Sequence, residues 1–234
     1  MKTLGIIGGL GPMASAYFSR LLVSMADVDC DQKHLDTVAV TRPSTPDRTA
    51  YILGRSDKSP VPTIIEAGRI LKNAGAAAVA IPCVTSHCFY GEICEGIGLP
   101  VINMIEATAL AVKKKGALKV GLTATSGTVE TGVFQKTLEK FGVECVVPDK
   151  DGQDAVMHVI YDCVKANRRP EDGLFDGVCR GLFESGAENV ILGCTELSLL
   201  KRDGLISSGN VTDALEELAA ASLAYFDIPL KSRD

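Results

Sequence analysis

Gly75-Ala76-Ala77-Ala78-Val79-Ala80-Ile81-Pro82-Cys83-Val84-Thr85 and Gly186-Ala187-Glu188-Asn189-Val190-Ile191-Leu192-Gly193-Cys194-Thr195-Glu196 are two copies of one pattern. Glycine, alanine, valine and cysteine coincide at a constant offset, and each copy is a short apolar run closed by a cysteine. Runs of this length, set between longer helical stretches, are the signature of buried parallel strands. Thr85 stands two residues after Cys83 but Thr195 only one after Cys194, so the loops differ where the strands agree.

The repeat extends outward. Leu4-Gly5-Ile6 matches Val120-Gly121-Leu122, and each is followed by a small-residue loop and a helix. In the first half the reading is a strand at 4–7, a helix at 14–25, a strand at 37–40, a helix at 63–73 and a strand at 77–81. In the second half it is a strand at 119–123, a helix at 129–140, a strand at 144–147, helices at 154–165 and 173–184, and a strand at 189–192. Alternation of this kind builds a parallel α/β sheet. Internal duplication then predicts two similar doubly wound parallel-sheet lobes related by a pseudo-two-fold axis, with the active site in the cleft between them. The lobes are expected at 1–112, completed by a C-terminal helix over 211–234, and at 113–210.

Composition narrows the function. The chain has 234 residues, of which 46% are hydrophobic and 23% charged, as in an ordinary globular protein. No apolar stretch approaches the roughly 18 to 20 residues that a membrane span needs. Met1-Lys2 leads straight into a strand-like run, so no signal peptide is read and the cytoplasm is the expected compartment. Eight cysteines without an export signal read as reduced thiols, structural or catalytic. A net charge of -5, the absence of tryptophan and one short basic run at Lys113-Lys114-Lys115 leave no footprint for nucleic acid.

A cysteine that ends a strand and begins a helix sits where backbone amides favour negative charge, so Cys83 and Cys194 are expected to have stabilised thiolates. Two acid/base groups on opposite faces of one carbon can remove a proton from one side and deliver one to the other, which inverts the centre. Fixed donors must then stabilise the developing negative charge, and Thr85, Thr125, Thr128 and Thr195 are the candidates.

The residues that carry this chemistry belong to a recognisable set. Gly8-Gly9-Leu10-Gly11-Pro12, Pro46-Asp47-Arg48-Thr49, Pro82-Cys83-Val84-Thr85-Ser86-His87, Ala124-Thr125-Ser126-Gly127-Thr128 and Gly193-Cys194-Thr195-Glu196 together resemble the cofactor-independent aspartate/glutamate racemase family, its aspartate racemases above all, over nearly the whole chain. The resemblance implies that Cys83 and Cys194 are paired acid/base residues and that no PLP, metal or nucleotide is used. It implies that Arg48 and Lys165 hold the side-chain carboxylate of a small acidic amino acid, as charge-assisted bonds would. It assigns the remaining substrate contacts to Gly11, Thr85, Ser86, Thr125, Thr128, Thr195 and Glu196, and it implies a homodimer. Val84 departs from the family pattern, which commonly has asparagine after the first cysteine. Ser207-Ser208-Gly209-Asn210 is more polar than the apolar strand ending in aspartate that relatives often show.

Competing readings attach to the same residues. Val84 and the altered C-terminal segment fit a relative that binds an acidic ligand without turning it over. Gly9-Leu10-Gly11-Pro12-Met13-Ala14 satisfies the dinucleotide fingerprint, and Arg42 could meet a 2'-phosphate, as in an NADP-binding oxidoreductase. Cys83, His87, Cys88 and Cys94 lack the spacing of a zinc site. The six cysteines outside the repeat are read as structural, and His87 as a residue that either orients the thiolate of Cys83 or packs.

Overall fold

Both predicted series of strands and helices form. The structure is a computed structural model that describes residues 2–207 and 209–232. Met1, Ser208, Arg233 and Asp234 lie outside the described residues. The first series is β1 (Thr3–Gly8), α1 (Pro12–Met25), a 3-10 turn at Asp31–Lys33, β2 (Thr37–Thr41), α2 (Arg48–Ile52), α3 (Val61–Asn73), β3 (Ala76–Ala80), a 3-10 turn at Thr85–Phe89, α4 (Tyr90–Ile97) and α5 (Met104–Lys114). The second is β4 (Lys119–Thr123), α6 (Ser126–Thr131), α7 (Val133–Lys140), β5 (Glu144–Val146), α8 (Lys150–Met157), a π-helix at His158–Val164, α9 (Leu174–Glu184), β6 (Asn189–Leu192), α10 (Thr195–Arg202), β7 (Val211–Asp213) and α11 (Ala214–Tyr225). Among the described residues no helix is long and apolar enough to cross a membrane.

Both sheets are parallel throughout, in the orders β2-β1-β3 and β5-β4-β6-β7. The duplication is therefore topological as well as sequential: β1, β2 and β3 occupy the places of β4, β5 and β6. A fourth place exists in the first sheet too, reduced to a bridge. Val79 pairs with Val101, its amide donating to Pro100 O at 2.8 Å while Ile102 N returns a bond to Val79 O. Val190 does the equivalent with Asn210 and Val211.

Packing repeats as well. A Cβ on Gly5 would stand 3.1 Å from Leu71 of α3, and a Cβ on Gly121 would stand 2.9 Å from Leu182 of α9. Glycine at these two strand positions lets a helix press its leucine onto the sheet. Leu71 and Leu182 are both buried, and each contributes about 1.5 to 3 kcal/mol by leaving water. Around Leu71 lie Ile7, Ile64, Val79 and Ile97, and around Leu182 lie Val159, Phe175, Val190 and Leu197.

The chain divides into two compact units, one of Met1–Met104 with Leu215–Asp234 and the other of Ile105–Ala214. Each sheet's final strand position is followed by a helix that belongs to the other unit: α5 falls almost wholly in the second and α11 in the first.

Three local expectations are corrected. The helix expected at 129–140 is two helices, α6 and α7, because Gly132 sits in the left-handed region at φ 66 between them. The helix expected at 154–165 starts at Lys150, where Asp149 caps Gly152 N at 2.8 Å, and becomes a π-helix from His158. The helix expected over 211–234 begins only at Ala214 and ends at Tyr225. Before it, Val211–Asp213 is a strand ending in aspartate directly after the polar Ser207–Asn210 stretch, of which Ser208 lies outside the described residues.

Candidate active site

Cys83 follows β3 through a tight bend in which its amide donates to Ile81 O at 2.7 Å. Such a three-residue turn needs a central residue with φ near the value that proline imposes, which Pro82 supplies. The next residues, Val84, Thr85, Ser86 and His87, are all buried. His87 turns its ring back on the chain, with Nδ1 2.9 Å from Cys83 O and Nε2 3.5 Å from Ile102 O. Burial pushes the His87 pKa below the ordinary imidazole value, against the raising effect of those carbonyls, so the ring is neutral with its proton on the shorter contact. His87 thus braces the backbone of Cys83. Ser86 is fully buried, and among the described residues its Oγ has no hydrogen-bond partner.

The same unit carries Gly11 and Arg48. Gly9, at φ 94, starts the loop after β1, and a side chain there would meet the backbone of Arg42 at 2.6 Å. Its amide donates to Ser15 Oγ, which donates in turn to Gly11 O, the cap of α1. Arg48 is 8% exposed. Its Nη2 donates to Leu10 O at 2.7 Å and its Nη1 to Pro46 O at 3.1 Å and Thr45 O at 3.4 Å. Its guanidinium therefore ties the Gly9–Pro12 loop to the start of α2. Arg42, the residue that could have suited a 2'-phosphate, pairs with Glu66 at 3.2 Å.

In the second unit Cys194 is the N-cap of α10, as buried as Cys83. The bend before it is made differently. Gly193 N donates to Thr123 O at 2.7 Å, and a Cβ on Gly193 would meet Leu122 Cδ1 at 2.7 Å and Thr123 O at 3.0 Å, so glycine fits where any side chain would have to displace its neighbours. The Cys194 thiol donates to Glu196 Oε2 at 3.0 Å, and Thr195 Oγ1 donates to the same oxygen at 3.3 Å.

This arrangement corrects the expectation of a helix-stabilised thiolate at Cys194. Burial first, then the negative charge of Glu196, push its pKa well above the ordinary thiol value, while the Lys165 ammonium and a backbone hydrogen bond oppose them. At rest Cys194 is a thiol. Lys165 ends the π-helix with Nζ 4.0 Å above the Tyr161 ring, and its influence on Cys194 places its charge within electrostatic reach of that sulfur.

Thr125 and Thr128 cap α6 together, with their hydroxyls 3.1 Å apart and Thr128 N donating to Thr125 Oγ1 at 3.4 Å. Gln153 of α8 donates to Ala124 O at 3.0 Å and Ser126 Oγ at 3.2 Å, fixing this loop from behind. The second unit thus holds Thr125, Thr128, Lys165, Cys194, Thr195 and Glu196, and the first holds Gly11, Arg48, Cys83, Thr85 and Ser86. Sequence reasoning missed Gln153 and the buried pair in which Ser198 Oγ donates to Asp213 Oδ1 at 2.6 Å. The signal for Asp213 was the brief Val211-Thr212-Asp213 run before a helix. All eight cysteines carry free thiols, and of the six outside the repeat Cys163 and Cys179 are buried, whereas Cys30 is exposed.

Comparison with known proteins gives the family and the fold. The Asp/Glu/hydantoin racemase family model matches residues 7–222. The chain is similar to the aspartate racemase of Picrophilus torridus, at 30% identity and TM-score 0.82, with 99% of this chain and 96% of that one covered. It is similar to a putative Asp/Glu racemase from Yersinia pestis, at 26% identity and TM-score 0.78, covering 96% and 99%. The broad specificity amino-acid racemase RacX of Bacillus subtilis is 23% identical over 95% of this chain and 97% of its own length.

Proposed function

We propose that this chain, which belongs to the Asp/Glu/hydantoin racemase family, interconverts L- and D-aspartate, or a close acidic amino acid, by a two-thiol mechanism that needs no PLP. The observation that carries the reading is the duplicated strand-to-cysteine element: in a racemase family, each unit presents one buried cysteine at the carboxyl end of an equivalent parallel strand.

In the proposed reaction one cysteine, as thiolate, removes the Cα proton and becomes a thiol. The other, as thiol, gives its proton to the opposite face and becomes a thiolate, so that each turnover exchanges their states. Cys194 suits the donor's part, since burial and Glu196 hold its proton in place. It becomes a base once its proton has gone to the substrate carbon in the preceding turnover, and the Lys165 charge favours the thiolate then left on sulfur. Ser86, with its buried hydroxyl, the helix-start residues Thr85 and Thr195, and the buried Thr125 and Thr128 are the proposed donors to the α-carboxylate. Lys165 and Arg48 are the proposed partners of the side-chain carboxylate, Arg48 by exchanging one of its bonds to a backbone carbonyl.

A second reading rests on Val84, which is 2% exposed and puts an apolar side chain directly after Cys83. It is a relative that binds an acidic ligand without turning it over. Proton NMR of L-aspartate with the protein in deuterium oxide, without added cofactor, separates the two. A racemase washes out the Cα proton and forms D-aspartate, and Cys83→Ser or Cys194→Ser abolishes both. If no amino acid in a panel exchanges its Cα proton while aspartate or glutamate still raises thermal stability, the binding reading holds and racemisation is refuted.

A further inference from the structure

The π-helix at His158–Val164, which Lys165 caps, gathers a second set of reactive side chains, none of which is Cys194. In an α-helix, residues five apart point to different faces, whereas the i to i+5 bonding of a π-helix aligns them. His158 and Cys163 are such a pair, with His158 Nε2 3.5 Å from Cys163 Sγ. Glu171, on the segment leading into α9, brings Oε2 to 3.4 Å from the same nitrogen. All three ligand atoms lie within 4.8 Å of one another.

We propose that His158, Cys163 and Glu171 bind one divalent ion of the zinc class, a site independent of the racemase reading. Zinc bonds of about 2.0 to 2.1 Å to imidazole, about 2.3 Å to thiolate and about 2.0 to 2.2 Å to carboxylate, at the tetrahedral angle, require ligand separations of about 3.5 Å for N to S and about 3.4 Å for N to O. The two separations at His158 Nε2 have these lengths. The third edge closes by rotation of Glu171, a side chain 67% exposed.

The outer contacts fit as well. His158 Nδ1 lies 3.1 Å from Asp162 Oδ2, which fixes Nδ1 as the protonated nitrogen and leaves the Nε2 lone pair for the ion. Arg168 donates to Asp162 O at 2.8 Å and holds the following loop against the helix. One imidazole, one thiolate and one carboxylate, with a fourth place open to water, is a borderline-soft donor set that suits zinc better than calcium or magnesium. Bound there, the ion would staple the segment carrying Glu171 to the helix that carries Lys165.

The test is titration of the chelator-treated protein with cobalt(II), followed by displacement with zinc(II). One equivalent should give tetrahedral d–d bands and a thiolate-to-cobalt charge-transfer band, both removed by zinc. Cys163→Ser should abolish the charge-transfer band, and His158→Gln or Glu171→Gln should weaken binding. Asp162→Asn should keep the spectrum but lower affinity about 10- to 100-fold. Cys83→Ser and Cys194→Ser should leave it unchanged. No thiolate band in the wild type leaves only a histidine placed between two carboxylates and overturns the proposal. So does a band that survives undiminished in Cys163→Ser and His158→Gln. His158 and Glu171 reach solvent, so their variants test the site even where the buried Cys163 cannot be replaced without loss of fold.

Discussion

Replacing Arg48 by alanine separates two jobs that one guanidinium can do. Buried Arg48 donates to three backbone carbonyls, those of Leu10, Thr45 and Pro46, and ties the loop after β1 to the start of α2. Hydrogen bonds from a charged group contribute about 1.5 to 3 kcal/mol each, and three carbonyls losing this donor, at the lower end of about 1 to 3 kcal/mol apiece, cost about 3 to 5 kcal/mol together. With a urea dependence of roughly 2 kcal/mol per molar, the unfolding midpoint of the first unit should fall by about 1.5 to 2.5 M. Arg48→Lys keeps the charge and stem but cannot reach three acceptors in a fork, so it should lie between. The assay is urea denaturation followed by far-ultraviolet circular dichroism, beside aspartate racemisation measured at low urea. A midpoint that stays within about 0.25 M of wild type, equivalent at that slope to the roughly 0.5 kcal/mol range of ordinary surface substitutions, would refute the clamp. If turnover were lost at the same time, Arg48 would be a substrate ligand alone.

Two further outcomes follow from the geometry. Glu196→Gln removes both the charge and the carboxylate acceptor that raise the Cys194 pKa, so alkylation of the Cys194 peptide by iodoacetamide should begin at lower pH. Lys165→Met removes the opposing charge and should move the onset higher, and an onset that stays fixed or moves the opposite way in either variant would contradict the assigned causes. Gly121→Ala places a Cβ 2.9 Å from Leu182 and should destabilise the second unit by about 1 to 3 kcal/mol, more than Gly5→Ala with its 3.1 Å contacts does the first; equal stabilities in thermal denaturation would contradict the repeated helix-to-sheet packing.

Much of the scaffold was legible because parallel strands covered on both faces read as apolar runs, and those at 76–81 and 190–192 are each followed, one residue later, by a cysteine. Their equal place beside β1 and β4 is the topological form of that repeat. What escaped depended on single residues or on distant partners. Gly132 splits a stretch whose periodicity fits one helix, since periodicity does not register a left-handed residue. β7 has three residues, too few for alternation to stand out, and exists because Val190 and Leu192 offer it an edge. The helix-start argument favoured a thiolate at Cys194. It could not weigh burial by the second unit's core, nor the turn of α10 that returns the Glu196 carboxylate onto the sulfur.

The two halves reach equivalent cysteines by unlike means, and the differences lie beside the sulfur atoms. Pro82 bends the chain before Cys83 by its fixed φ, whereas before Cys194 it is glycine, Gly193, that fits against Leu122 and Thr123 O. Four residues after Cys83 a neutral imidazole holds its backbone carbonyl, and two residues after Cys194 a carboxylate accepts its thiol proton. Strand pairing and helix packing were thus retained through the duplication while the immediate neighbours diverged. A reaction that takes a proton from one face of a carbon and returns one to the other requires its two groups to differ in protonation at the start of each turnover. In the proposed racemisation that difference begins at Cys194, where burial first and then the Glu196 carboxylate hold the proton on sulfur.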